Sequence, residues 1–382
     1  MKLAIYIHYL GMGGAERVSV HLANYWASQG HSVVLITNDR LDFNTYPKVD
    51  SITHECLEIH GSTNNVYGAL ASNIKRIIAL RRVIKLHKIQ KIVSFCYTAN
   101  ITLALARTGL NEMVAIGSER CYPPLESNSK LWNGLRRYSY RLLDSVVVQT
   151  NKTNSWISSN TLSRNTVTIP NPVIYPLPVT DPKISTEQLG SKRVILAAGR
   201  LEDQKQFEHL LHAFARIHQK FPNWCVAIVG EGSGRHKLEQ LVISLGLENC
   251  VHMPGRVGNV SAWYARADMF VLCSKFEGFP NVLLEAMAYG NVVVSYDCDT
   301  GPADLIQHKI NGLLVESDNI DELVSSMELI MSNPVLCEQL KKNACAVMQK
   351  YSSESIFHSW DEVLGLVHNT NANSTLVDSV RH

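Results

Sequence analysis

The segment Glu277-Gly278-Phe279-Pro280-Asn281-Val282-Leu283-Leu284-Glu285-Ala286-Met287-Ala288-Tyr289-Gly290 holds the densest chemistry in the chain. It follows an apolar stretch ending at Cys273-Ser274, with Pro280 suited to the first turn of a helix and Gly290 to its C-terminal cap. The N–H groups of Asn281 and Val282 would then stand free at a helix tip beyond a strand end, where a phosphate is favourably held. Glu277 in the loop and Glu285 on the helix can face one crevice, and a carboxylate aimed at a sugar or a ribose accepts two charge-assisted hydroxyl hydrogen bonds. Taken alone, two acids eight residues apart read as solvated side chains; the whole segment makes them candidates.

A second loop, Ala198-Gly199-Arg200-Leu201-Glu202-Asp203-Gln204-Lys205-Gln206-Phe207, again separates an apolar run from a helical pattern. Arg200 and Lys205 are spaced to converge on a diphosphate, where each cation is worth most with water excluded. A third, Val229-Gly230-Glu231-Gly232-Ser233-Gly234, is G-x-G-x-G rather than G-x-G-x-x-G, which argues against an NAD-dependent dehydrogenase. Glycine there still lets backbone approach a nucleotide. Gly11-Met12-Gly13-Gly14-Ala15-Glu16-Arg17 makes a similar turn near the front, either a close approach to phosphate or acceptor or simply a tight turn. Asp297-Cys298-Asp299 has the D-x-D form of a divalent-metal pair, but it stands before Gly301-Pro302 and is read as something else. The fifteen histidines show no H-x-x-x-H or H-E-x-x-H spacing, so no metal and no other cofactor is expected.

These loops need strands to hold them. Val- and Ile-rich runs alternate with longer helical segments, the pattern of parallel sheets covered by helices. Leu3–Ile7, Ser32–Thr37, Lys91–Phe95, Val114–Gly117 and Ser145–Gln149 are expected as strands of one set; Val194–Ala198, Cys225–Val229, Val251–Met253, Met269–Leu272 and Val292–Ser295 form the other. Two such sets predict an α/β protein of two doubly wound, Rossmann-like lobes, which suits 382 residues, about twice a typical domain. Between them Pro170, Pro172, Pro176 and Pro178 exclude a helix or a central strand. The expected boundaries are a first lobe over 1–170, a linker over 171–190, a second lobe over 191–352, a helix over 353–368 packing back across the first lobe, and a polar flexible tail over 369–382.

Composition narrows the class further. With 46% hydrophobic and 18% charged residues the chain is globular, not disordered. The net charge of +2 conceals a split: nineteen Lys and Arg against ten Asp and Glu precede Pro172, and seventeen against twenty-four follow. One lobe facing an anionic surface or ligand explains this; so does compositional drift. The nine cysteines form no C-x-x-C pair and sit mostly in apolar runs, as buried reduced thiols of a cytoplasmic protein do. The N-terminal apolar run is short and reads as a first strand rather than a signal peptide, and no stretch reaches the ~20 apolar residues of a membrane span. Asn73 to Lys88 carries six cations and no acid, with Ile77, Leu80, Val83 and Ile84 at helical spacing. It is either a helix lying on an anionic leaflet or an ordinary covering helix with solvated cations. Ser129 to Tyr138, with aromatics beside cations, is a second candidate contact.

The Gly-Gly turn, the Gly-Arg-Leu…Gln-Lys loop, the Gly-Glu-Gly turn and the Glu-Gly-Phe-Pro…Glu helix occur here in the order seen in glycosyltransferase family 4. Together with Gly301-Pro302-Ala303-Asp304-Leu305-Ile306 and Asn311-Gly312-Leu313-Leu314-Val315, they resemble that family of retaining enzymes over nearly the whole chain. The resemblance implies the GT-B fold and a sugar-nucleotide site in the second lobe. Catalytic roles would fall to Arg200, Lys205 and Glu277. Donor binding would fall to Gly14, Gly199, Gly230, Glu231, Gly255, Arg256, Val257, Phe279, Asn281 and Val282, with Glu285 on the ribose. Many relatives place a cleft histidine after a first-lobe strand where this chain has Gly117-Ser118-Glu119-Arg120, so Glu119 or Arg120 is expected to substitute for it, with Glu119 given the catalytic role and Glu16, Arg17 and Arg120 the acceptor. That departure resembles a bacterial subgroup assembling surface polysaccharides and lipid-linked oligosaccharides. The implied reaction moves a hexose or N-acetylhexosamine from a UDP-sugar to a glycan or polyprenyl-diphosphate-linked glycan, at the cytoplasmic side of a membrane whose anionic surface the enzyme can touch; nucleic acid is not an expected partner. The alternatives are a non-catalytic nucleotide-sugar-binding protein, or a sugar-nucleotide epimerase or phosphorylase of the same architecture.

Overall fold

The computed structural model describes residues 1–11, 13–39, 46–59, 66–110, 112–126 and 129–366. Thirteen strands among them form two all-parallel sheets. The first comprises β1 (Lys2–Ile7), β2 (Ser32–Thr37), β3 (Thr53–Cys56), β4 (Lys91–Phe95), β5 (Val114–Ser118), β6 (Ser145–Val148) and β7 (Thr166–Thr168), in spatial order β3-β2-β1-β4-β5-β6-β7. The second comprises β8 (Arg193–Ala198), β9 (Trp224–Val229), β10 (Val251–Gly255), β11 (Met269–Leu272), β12 (Val292–Tyr296) and β13 (Leu313–Val315), in order β10-β9-β8-β11-β12-β13. Both have the doubly wound topology, with the strand order reversing between β1 and β4 and between β8 and β11. Strands buried on both faces read as near-continuous apolar runs, as β9 and β11 do, and β8 and β12 break theirs only at Arg193 and Ser295.

The sequence patterns miss β3, β7 and β13. Each is a short edge or near-edge strand, and β3 and β7 carry the polar sequences Thr-His-Glu-Cys and Thr-Val-Thr on half-covered surface. The helix Ser353–Leu364 returns to the first lobe, where Tyr25 Oη and Trp26 Nε1 donate to the two oxygens of Asp361 at 2.7 and 2.8 Å and Trp360 packs on Phe95. Lys91 Nζ then donates to the Gly365 carbonyl at 2.9 Å, a cation at the negative end of the helix. The polar tail expected over 369–382 lies outside the described residues.

The helix Val66–Leu86 follows the covering-helix reading on its Ile77 face. Leu80, Val83 and Ile84, with Ile77 beside them, pack inward with the core of the first lobe rather than facing a leaflet. A second apolar row on the same helix, Leu70, Ile74 and Ile78, is the exposed one, beside exposed Lys75, Arg82 and Lys85. Among the described residues no helix is long and apolar enough to cross a membrane. Of the nine cysteines, Cys225, Cys273, Cys298 and Cys337 are buried as expected, whereas Cys121 and Cys345 are exposed.

Candidate active site

A strand order that reverses leaves a crevice beyond the carboxyl ends of the strands on either side of the switch. Here the loops after β1 and β4 face those after β8 and β11 across a cleft of about 980 Å³. The motif loops are those loops. Gly14, Glu16 and Arg17 follow β1, Gly199, Arg200 and Lys205 follow β8, and Glu277, Phe279, Asn281, Val282 and Glu285 follow β11; all line the cleft. So do Gly230 and Glu231 after β9, Arg256 and Val257 after β10, and Arg120 after β5.

The helix Asn281–Ala288 begins one residue later than its proline suggested, since Pro280 is the N-cap. Its carbonyl takes the N–H groups of Leu283 and Leu284 at 3.0 and 3.2 Å. The N–H groups of Asn281 and Val282 have no acceptor among the described residues, so the helix tip opens on the cleft with two free donors. Lys205 Nζ donates to Glu277 Oε1 at 2.5 Å, which holds the ammonium in the same cleft. Arg200 is exposed in the cleft and has no ion-pair partner among the described residues. A loop cation, a held cation and a helix tip on one wall can together neutralise a diphosphate.

Close backbone approach explains two glycines. Gly230 has φ +145°, and a Cβ there would lie 1.8 Å from the Gly199 carbonyl oxygen, so the loops after β8 and β9 can touch only without a side chain. A Cβ on Gly14 would meet the Asn281 side-chain amide at 2.5 Å, so the first-lobe turn lies directly against the second-lobe helix tip. The same tip is tied to the linker, since Asn171 Nδ2 donates to Asn281 Oδ1 at 2.6 Å while Arg120 donates to Asn171 Oδ1. On the other side Lys152 pairs with Asp299 across the lobes at 2.7 Å, and Asp299 belongs to the D-x-D pair. No group of three or more His, Cys, Asp or Glu among the described residues is placed to hold a metal.

Two expectations need correction and one an addition. Glu119 does not line the cleft. Its side chain is 1% exposed and turns into the first lobe, where Tyr140 donates to Oε2 and Arg136 Nη2 lies 3.4 Å from Oε1. Burial pushes its carboxyl up to about 7, although Arg136 and Tyr140 pull the other way. Arg120, the next residue, faces the cleft; burial lowers its pKa to about 10. Gly255 stands behind the wall, accepting from the Gly230 N–H at 2.9 Å, while its neighbours Arg256 and Val257 line the cleft. The addition is Tyr264, whose hydroxyl donates to Glu285 Oε2 at 2.9 Å. Nothing in its apolar helical context marks it, because the contact is made only in three dimensions.

Glu16 lies in the cleft, where burial raises its carboxyl pKa against the lowering effects of its own backbone N–H, Arg120 and Arg200. Arg17 reaches across the cleft to donate to Glu285 Oε1.

Two doubly wound lobes facing each other across a cleft have the GT-B fold, and comparison with solved structures agrees. The chain superposes on Alr3699/HepE of Anabaena, solved in complex with UDP, with a TM-score of 0.78 at 19% identity, covering 96% of this chain and 100% of that one. The model for glycosyl transferases group 1 matches residues 181–347 and that for glycosyltransferase family 4 matches residues 12–174. The chain belongs to this family of glycosyltransferases. Similar relatives include an uncharacterized glycosyltransferase of Haemophilus influenzae, 28% identical over 95% of this chain and 99% of its own. Another is the GalNAc-alpha-(1->4)-GalNAc-alpha-(1->3)-diNAcBac-PP-undecaprenol alpha-1,4-N-acetyl-D-galactosaminyltransferase of Campylobacter jejuni, 29% identical over 97% and 99%.

Proposed function

We propose that this glycosyltransferase retains configuration at the sugar, moving a hexose or N-acetylhexosamine from a UDP-sugar to a polyprenyl-diphosphate-linked saccharide in bacterial surface glycan assembly. The observation that carries this reading is the convergence of Arg200, Lys205, Glu277, the Asn281 helix tip and Glu285 on one cleft. Support for the donor comes from Alr3699/HepE, solved with UDP and with UDP-glucose. Support for the acceptor comes from the Campylobacter relative, named for an undecaprenol-linked diphospho-glycan.

In this mechanism the bond from the sugar C1 to the diphosphate oxygen breaks while the acceptor oxygen bonds to C1 on the same face. The acceptor proton passes to the departing diphosphate oxygen. No protein nucleophile is needed, because charge developing on the diphosphate is met by Arg200, Lys205 and the free N–H groups of Asn281 and Val282. These groups also replace a metal ion. Glu277 takes donor-sugar hydroxyls and Glu285 the ribose; the backbone at Arg256 and Val257 reads the base; Glu16 and Arg120 face the acceptor.

Thermal stabilisation by a panel of nucleotide sugars tests the donor, with UDP-hexoses or UDP-N-acetylhexosamines expected to raise Tm most. Product NMR tests retention: an anomeric configuration opposite to the donor's would refute it. The membrane side rests on exposed Leu70, Ile74 and Ile78 flanked by Lys75, Arg82 and Lys85, and on exposed Leu131, Arg137 and Tyr138 of the helix Lys130–Ser139. Liposome flotation should recover more protein with anionic than with neutral vesicles, and equal recovery would argue for a soluble acceptor.

A further inference from the structure

Arg235 opens the helix Arg235–Ser244, a position where the helix dipole disfavours a cation. It meets a separate acceptor with each of its nitrogens: Nε donates to Glu239 Oε1 at 2.8 Å, Nη1 to Glu231 Oε1 at 2.7 Å and Nη2 to the Met253 carbonyl at 2.7 Å. Both ion pairs are partly exposed, so neither adds much to stability. The bond to the backbone has a different consequence. Between His252 and Gly255 β10 advances three residues while β9 advances two, from Ala227 to Val229, which puts a bulge where the strand runs out towards the cleft. Pro254 has no N–H to give to a ladder, and the Met253 carbonyl beside it is the one that Arg235 takes. Gly255 follows at φ +86°, and a Cβ there would lie 2.6 Å from Glu231 Oε1, so the turn closes directly on the Arg235–Glu231 pair.

The bulge leads into Arg256 and Val257, which line the cleft and whose backbone N–H and C=O groups have no partner among the described residues. Beyond them Gly258 is fixed to the linker: its N–H donates to the Pro182 carbonyl at 2.6 Å and its carbonyl accepts from the Thr180 N–H at 2.9 Å. A short run of open backbone donors and acceptors is thus pinned at both ends, by the linker at one and by a single guanidinium at the other. We infer that Arg235 is a positioning residue for nucleobase selection: by stapling the β10 bulge to Glu231 it sets where the backbone of Arg256 and Val257 meets the base of the donor nucleotide. This rests on the reading of that backbone as the base subsite. Arg235 itself does not line the cleft, and a planar fork is what lets one side chain serve three acceptors at once.

Calorimetric titration with UDP, GDP, ADP and pyrophosphate separates the base from the phosphates. Arg235→Ala should weaken UDP about tenfold, the scale of one well-placed hydrogen bond, and shrink its preference over GDP and ADP, with pyrophosphate staying within about twofold of wild type. Arg235→Lys, which keeps the charge but cannot serve all three acceptors, should fall between Arg235→Ala and wild type, and it carries the test if Arg235→Ala does not fold. A merely structural residue would lower all four ligands together, and that result would overturn the inference. If wild type prefers one base and both variants keep that preference, the staple fails while the base subsite stands. If wild type binds the three nucleotides no better than pyrophosphate, the base subsite itself is lost and the role of Arg235 with it.

Discussion

The two lobes share a topology and use it differently. In the second lobe the candidate groups sit on the loops that leave strands at the reversal point and on the helix that follows one of them, and Arg200, Lys205, Glu277 and Glu285 all reach the cleft. In the first lobe the loop after β5 divides: Arg120 lines the cleft while Glu119 turns into a buried cluster with Arg136, Tyr140 and, through Arg136, Glu126. Consecutive residues leaving a strand point to opposite faces, so a one-residue difference decides between cleft and core. A strand end therefore marks where a site can be; side-chain parity decides who enters it.

The largest effect should fall on the second lobe. Lys205→Ala is expected to lower turnover at least ~100-fold with an unchanged melting profile, the loss typical of one preorganised stabilising group. Wild-type turnover in that variant would remove Lys205 from the mechanism and erase the contrast between the lobes. Next comes Glu285→Ala, expected to weaken the donor by about 10- to 100-fold, as losing hydrogen bonds of about 1.5–3 kcal/mol to a charged group does. A steady-state KM for donor that stays within error of wild type would refute it.

Glu119→Gln should give the smallest effect on transfer, with turnover within about threefold of wild type, because the side chain does not line the cleft. A drop of 100-fold would return Glu119 to catalysis. Its signature should appear in stability. A carboxyl that holds its proton more tightly in the fold than in the unfolded chain adds stability that is complete below about 4.5 and lost as pH climbs through about 7. Over that interval wild type should lose up to about 3 kcal/mol relative to Glu119→Gln, the energy of about two and a half pKa units. Parallel denaturant midpoints for the two proteins from pH 4.5 to 8 would show that the buried cluster keeps Glu119 ionised throughout.

Much of the second-lobe site is legible because its requirements are local. A proline before a helix, a glycine where φ is positive and cations in a short loop after an apolar strand are all written within a few residues of one another. The Ser353–Leu364 helix is legible for the same reason, from its apolar spacing. What the sequence does not display is pairing across the lobes. Arg17 with Glu285, Asn171 with Asn281 and Lys152 with Asp299 each join residues more than a hundred positions apart, and no periodicity encodes them. The outward row Leu70, Ile74 and Ile78 was hidden for another reason: the inward row shares the same helix, and a helix apolar on two sides has a weak amphipathic signal.

The chain passes between the lobes twice, and the two passages run side by side: the Val173 N–H donates to the Tyr351 carbonyl at 2.7 Å, and Val173 forms a parallel bridge with Ser352. Two adjacent straps behave like a piano hinge. Such a pair permits a swing of the halves about one line at the base of the gap and resists twisting or sliding, so a relative motion of the lobes would change a single angle. Cutting the chain after Tyr351 would remove one strap together with its anchor on Trp26, and the halves would then wobble about a single thread.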